Sequence, residues 1–208
     1  SRVSALDGLR GFALVGMLAW HAQLSWVKGG FARMTVFFVL SGFLAARSLL
    51  RTTESSSGRG FLRYYGRRAR RLLPITFVGV AAALLVTAGW GSPSARASSF
   101  GDTLSVLTSW SNWRFILEDR PYGALFDAPS AFQHYWSLSV EEQFYLVWPL
   151  VLLACLVWQR RRHGFGRLPR VPVLAALWGL TALSFGYAVW LTSTNPIAAY
   201  FSTPARIW

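Results

Sequence analysis

The chain has 208 residues, of which 53% are apolar and only 14% charged, with 11 Trp and 15 Phe; its mean hydropathy is +0.36. A soluble domain carries about 25% charged residues, so this composition excludes one, and it excludes disorder; the single Cys155 excludes a disulfide scaffold. The net charge of +13 would suit nucleic acid only on one hydrated face, whereas here the arginines lie between apolar segments, as the positive-inside rule arranges them in a membrane protein.

A spanning helix needs about 20 largely apolar residues. The first such run is Gly11 to Val27, preceded by Asp7 and Arg10 and lacking an Ala-x-Ala cleavage pattern, so it reads as a retained helix rather than a signal peptide. Arg10 and His21 are 11 residues apart. At about 100° and 1.5 Å per residue they share one stripe of a helix, about 16 Å apart. An ionisable group inside a span is costly and marks function by default, and histidine exchanges a proton near neutral pH; a purely structural hydrogen bond is the plainer alternative for His21. Asp7 and Arg10, three apart, can pair locally, or Asp7 can simply favour the helix start.

The second run is Met34 to Leu50, where Ser41-Gly42 needs nothing beyond close helix packing. Glu54 to Gly60 reads as a polar loop. The third run, Leu72 to Trp90, has Pro74 in its expected first turn and is led by Arg63, Arg67, Arg68, Arg70 and Arg71. Arginine pairs three apart bind phosphates well, although topology and anionic lipid account for most of them. In the connection that follows, Leu104 to Trp110 is apolar enough for a short interfacial or re-entrant helix, and Trp110, Asn112, Trp113 and Tyr122 offer stacking surfaces or an interfacial belt. Before the fourth run, Ser139 to Trp158, Ser139 and Glu142 fit a capping box. That leaves His134, Trp136, Glu141 and Gln143 at the same mouth, a set able to grip a sugar or relay a proton. The fifth run is Val171 to Thr192, and a sixth is expected to begin near Ala205.

Charge sets the expected orientation. The stretch Arg47 to Arg71 holds eight arginines against Glu54, and Arg160 to Arg170 holds five and no acid. Gly91 to Gln143 holds three arginines and six acids. The arginine-rich loops therefore face the cytoplasm, the long connection faces outward, and the N-terminus lies inside. The expected fold is an all-α polytopic transmembrane bundle of five complete spans and the start of a sixth. Ser1 in place of Met and the apolar Ile207-Trp208 suggest a piece of a longer chain.

Five motifs occur in order: Leu6-Asp-Gly-Leu-Arg10-Gly11, His21 after ten intervening residues, Phe37-Phe-Val-Leu-Ser-Gly-Phe43, Arg67-Arg-x-x-Arg-Leu-Leu-Pro74, and Trp136-Ser-Leu-Ser-Val-Glu-Glu-Gln-Phe-Tyr145. As an ordered set they resemble the acyltransferase-3 family of integral membrane O-acyltransferases, from about Ser4 to the end. The resemblance implies the N-terminal part, residues 1–208, of a single domain of about ten spans in a bacterial cytoplasmic membrane. It implies transfer of an acyl group, most often acetyl, from cytoplasmic acyl-CoA to a hydroxyl of a carbohydrate or a glycosylated natural product such as a macrolide, with no metal. The family's arginine-x10-histidine pattern falls on Arg10 and His21. Its basic start of span three falls on Arg68 and Arg71, or on Arg67 and Arg70, as the CoA-phosphate site. Its glutamate falls on Glu141 or Glu142, with Trp136, His134 and Trp113 beside the acceptor. The family's usual Gly-Val-Asp before the Phe-Phe pair is replaced by Arg33-Met34-Thr35. The rival class is a transporter or flippase using the same polar stripe without chemistry. Half a bundle leaves polar groups without partners, so the chain by itself is expected to be inactive.

Overall fold

The computed structural model describes residues 4–22, 24, 30–54, 60–121, 130–163 and 170–206, all in helices, turns and short connections. The chain divides into two units, Ser1–Tyr64 and Tyr65–Trp208.

In the first unit α1 (Ser4–His21) packs against α2 (Gly30–Glu54). Asp7 sits in the first turn of α1, where an acid suits the helix dipole. Ala13 of α1 and Leu40, Ser41 and Ala45 of α2 are buried. Small side chains at this seam let two backbones approach closely. The outer faces carry exposed Phe12, Val15, Leu18 and Val39, apolar surface that suits lipid better than water. Arg10 and His21 do lie on one helix, with His21 as its last residue; the His21 side chain and residues 25–29, the far end of the expected first span, lie outside the described residues. The Glu54–Gly60 loop falls largely on 55–59, outside them too.

The second unit takes in most of α3 (Gly60–Trp90), which starts in the first unit, followed by α4 (Pro93–Leu107), α5 (Ser111–Leu117), α6 (Tyr135–His163), α7 (Arg170–Thr194), α8 (Pro196–Phe201) and a 3-10 turn, Pro204–Arg206. Two expected helix starts are corrected. Helix α3 begins at Gly60, so Pro74 lies in its interior rather than its first turn. The proline withdraws the N–H that would bond the Arg70 carbonyl, a loss membrane helices tolerate. Helix α6 begins at Tyr135, so Ser139 is in its second turn and is no N-cap, and the capping box with Glu142 does not form. Both side chains bond residues far away in sequence instead, and those long-range partners override the local pattern.

Helices α3 and α6 run antiparallel. The Tyr65 hydroxyl donates to the Leu146 carbonyl at 3.0 Å near one end of their contact, and Val80 and Ala83 pack with Phe132 and Tyr135 near the other. Ser92 caps α4, accepting the Ala95 N–H at 3.1 Å, with Pro93 at the first helical position. Helix α4 then doubles back along α3, since its Val106 joins Val80 and Ala83, about 15 Å short of the α3 end by helix rise. Helix α5 turns back again, which makes α4–α5 a re-entrant hairpin. The expected helix at Leu104–Trp110 is thus displaced toward the N-terminus, and residues 108–110 form the hairpin tip. After α7 the chain reverses a second time. Asn195 caps α8 by accepting the Ala198 N–H at 2.9 Å, and the Ser184 hydroxyl of α7 donates to the Pro204 carbonyl.

Among the described residues three helices are long and apolar enough to cross a membrane, Leu62–Trp90, Tyr135–Cys155 and Leu174–Thr194; the apolar part of α2, Thr35–Ser48, is shorter. Each of the five expected spans falls on a helix, and three of them meet the length and composition of a span among the described residues. At the expected start of a sixth span stands the 3-10 turn, with residues 207–208 outside the described set.

Candidate functional site

The re-entrant hairpin is fastened at both ends. At its outer end Asp102, fully buried, accepts Arg114 Nε at 3.0 Å, Arg120 Nη1 at 3.1 Å and the Ser130 hydroxyl at 2.8 Å. Glu118 draws the same two arginines at 2.8 and 2.6 Å. None of these residues was singled out from the sequence, where the acids and arginines of the connection count only toward topology.

At the inner end the tip meets α6. Gln143 donates from Nε2 to the Ser109 carbonyl at 2.7 Å and to Asn112 Oδ1 at 2.9 Å. Its Oε1 accepts Trp113 Nε1 at 3.1 Å and the Thr203 hydroxyl. Asn112, fully buried, donates to the Phe201 carbonyl and to Thr203 Oγ1, each at 3.0 Å. Ser139 Oγ accepts the Ser111 N–H at 3.3 Å. One glutamine thus ties the tip, α6 and the returning segment together with its amide fully used.

Beside this knot stand the two carboxylates. The Ser109 hydroxyl donates to Glu142. The Tyr145 hydroxyl donates to Glu141 at 3.0 Å. The Arg68 guanidinium lies 3.0 Å from the centroid of the Tyr145 ring, and its charge acts on Glu142. The sequence reading places the α3 arginines at the inner mouth and the glutamates at the outer one, yet Arg68 and both glutamates share one level. Antiparallel helices with the offset described above bring the ninth residue of α3 beside the eleventh of α6. Arg67, Arg70 and Arg71 are exposed, with Arg70 Nε donating to the Gly66 carbonyl at 3.2 Å.

The aromatic candidates divide as well. Trp113 is half-buried and tilted against Trp110 at 5.7 Å. Trp136 is buried at 1% exposure, with Tyr200 and Phe201 at 4.8 and 5.5 Å and the Arg206 guanidinium at 5.9 Å. Its ring serves as a wall for the returning segment rather than as an open stacking surface. His134 is exposed in the turn before α6, where its carbonyl accepts the Ser137 hydroxyl. In the first unit Arg10 Nη2 donates to Ser41 Oγ at 3.2 Å, so Ser41 does more than pack. The sequence reading missed Ser109, Asp102 and Thr203. Ser109 had one signal: two helical runs separated by Thr-Ser-Trp with no glycine to end the first.

Ionisable side chains inside spanning helices are costly unless paired or used. Glu141, Glu142 and Arg68 all fall within such helices. The arrangement offers two adjacent carboxylates, a delocalised cation and two hydroxyl groups, which suits orienting an acceptor hydroxyl and holding its proton.

A family model described as an acyltransferase domain matches residues 3–207. The chain is 35% identical to the peptidoglycan O-acetyltransferase OatA of Listeria monocytogenes serovar 1/2a over 209 residues, covering 98% of this chain and 32% of that protein. It is 32% identical to the putative peptidoglycan O-acetyltransferase YrhL of Bacillus subtilis strain 168, covering 98% and 31%. A putative O-acetyltransferase of Staphylococcus aureus strain COL is 29% identical, covering 99% and 33%. The chain thus spans about a third of the length of these curated relatives. No solved structure matches it. With the family model spanning nearly the whole chain, the chain belongs to this acyltransferase family.

Proposed function

We propose that the chain is the part of a bacterial membrane O-acyltransferase that receives an acyl group, acetyl in the first instance, from cytoplasmic acyl-CoA and delivers it to a carbohydrate hydroxyl. Family membership and relatives named as O-acetyltransferases support the reaction class, and two of those names specify peptidoglycan. The observation that carries the site is the meeting of Arg68, Tyr145, Glu141 and Glu142 at one level inside two spanning helices. A cytoplasmic donor and an outward acceptor need a meeting place away from both surfaces. In this reading Glu142, with Glu141, orients the acceptor hydroxyl, and Arg68 balances the charge. Arg67, Arg70 and Arg71 hold the CoA phosphates on the cytoplasmic side, as bidentate groups do well. His21 acts as general base on the acceptor or carries the acyl group transiently, with Arg10, held by Ser41, farther along the same stripe. Trp113 borders the acceptor, and Trp136 and His134 frame the α6 mouth. The N-terminus and the arginine-rich loops lie inside.

The test is release of free CoA from acetyl-CoA by membranes carrying the intact protein, with and without His21→Ala. A positioned general base contributes about 10²–10⁴-fold, and the reading expects a loss in that range at equal protein level. Thioester left intact by the parent would favour a carrier without chemistry, and an unchanged rate in His21→Ala would remove His21 from the reaction.

A further inference from the structure

Helix α4 ends in a Schellman motif. The Trp110 N–H bonds the Ser105 carbonyl at 2.7 Å and the Ser109 N–H bonds the Val106 carbonyl at 3.1 Å. That pattern puts Ser109 at the position after the cap, in the left-handed region, with φ at 55°. Glycine is the default there because a Cβ is unwelcome at positive φ. Helix α5 ends in the same motif, with Arg120 N–H on the Phe115 carbonyl and Asp119 at φ 49°. Asp119 is exposed, and aspartate is among the residues that tolerate this conformation best. Serine has no such excuse. What Ser109 has instead is a hydroxyl on the Glu142 carboxylate and a carbonyl held by Gln143, the next residue of α6. The backbone is fixed from one side so that the side chain can act on the other. Strain of this kind persists where surrounding contacts over-determine it, and it collects at functional sites.

We propose that Ser109 is a positioning residue for the acyl transfer: the hairpin accepts a serine where glycine would fold better, so that its hydroxyl aims the Glu142 carboxylate at the acceptor. The inference rests on the reading of Glu142 given above. The Glu142 side chain spans several rotatable bonds, and the Arg68 charge, which lies over the Tyr145 ring, attracts it from that side at longer range. The Ser109 hydroxyl supplies the opposing hold. No bond to substrate is made or broken by Ser109 itself.

The substitution Ser109→Gly separates this role from a structural one, because it removes the hydroxyl while relieving the backbone. The experiment compares the intact protein, Ser109→Gly, Glu142→Gln and the double variant for acetyl-CoA turnover per folded molecule and for melting temperature in detergent. Displacing a reacting group by about 1 Å can cost up to about a hundredfold. Ser109→Gly is therefore expected to melt at or above the parent temperature while kcat falls about ten- to hundredfold and KM for acetyl-CoA stays put. In the Glu142→Gln background the same substitution should add no further loss, since residues acting through one another are not additive. Parent-like turnover in Ser109→Gly, or an equal additional loss in the double variant, would overturn the positioning role. A Glu142→Gln enzyme with full turnover would instead remove the parent reading of Glu142, a distinct outcome.

Discussion

Two carboxylates anchor the two ends of one hairpin, and they are treated in opposite ways. Asp102 is fully buried and closed in by two arginines and the Ser130 hydroxyl. Its charge is spent on the fold. Glu142 takes the Ser109 hydroxyl and feels Arg68 at longer range, with a second carboxylate next to it in sequence. A carboxylate saturated with donors is a fastener, and one held loosely beside a cation and a second acid is poised to meet a further group. The difference teaches that depth alone does not separate structural from functional charge; the donor set does.

Breaking the fastener should have the largest effect. Asp102→Ala takes away the buried one of the two carboxylates that Arg114 and Arg120 share, leaving them only the exposed Glu118, and breaking a buried ion pair from one side costs up to about 3–5 kcal/mol. Loss of assembled protein in the membrane, read by size-exclusion chromatography in detergent, would follow, and an unaltered profile would refute the fastener. Gln143→Glu comes next. It replaces a donor with an acceptor facing the Ser109 carbonyl and Asn112 Oδ1. Each buried group left unpaired costs about 1–3 kcal/mol, so thermal unfolding should shift down clearly but less than for Asp102→Ala. Arg68→Lys keeps the charge and loses the flat stack on Tyr145, worth about 0.5–2 kcal/mol; turnover should drop more than stability does. Asp119→Gly is the smallest change and has the opposite sign, a gain of about 0.5 kcal/mol from relief of positive φ, with turnover unchanged. A fall in melting temperature there would contradict the account of both helix ends.

The long helices were legible because apolar runs of span length leave no alternative. Their starts were not. Gly60 to Arg71 is too polar to read as membrane helix, yet it is more than a third of α3. Ser139 and Glu142 matched a local capping rule, but partners 28 and 33 residues away in sequence claim their side chains. The Ser92-Pro93 start of α4 follows a readable cap pattern, but the connection reads first by its charge balance, its apolar Leu104–Trp110 stretch and its aromatics, none of which points to a helix start there. Arg10 and Glu141 stand out as polar groups at or near apolar runs, whereas Glu142 is absorbed by the capping pattern and enters only through the family resemblance. Ser109, Asp102 and Thr203 do not stand out, because a serine, an aspartate and a threonine in a polar connection are ordinary until a chain reversal buries them. The opposite sense of α3 and α6 follows from the alternation of spans, but the offset between them was likewise invisible, and it is what brings Arg68 to the glutamates.

The most direct test of the central claim is acetyl transfer from labelled acetyl-CoA by the intact protein, compared at equal folded amounts between the parent and Glu142→Gln. The account predicts label leaving CoA in the parent and a loss of about a hundredfold in the variant, with melting temperature held close to the parent. Full transfer by a well-folded Glu142→Gln protein would contradict it.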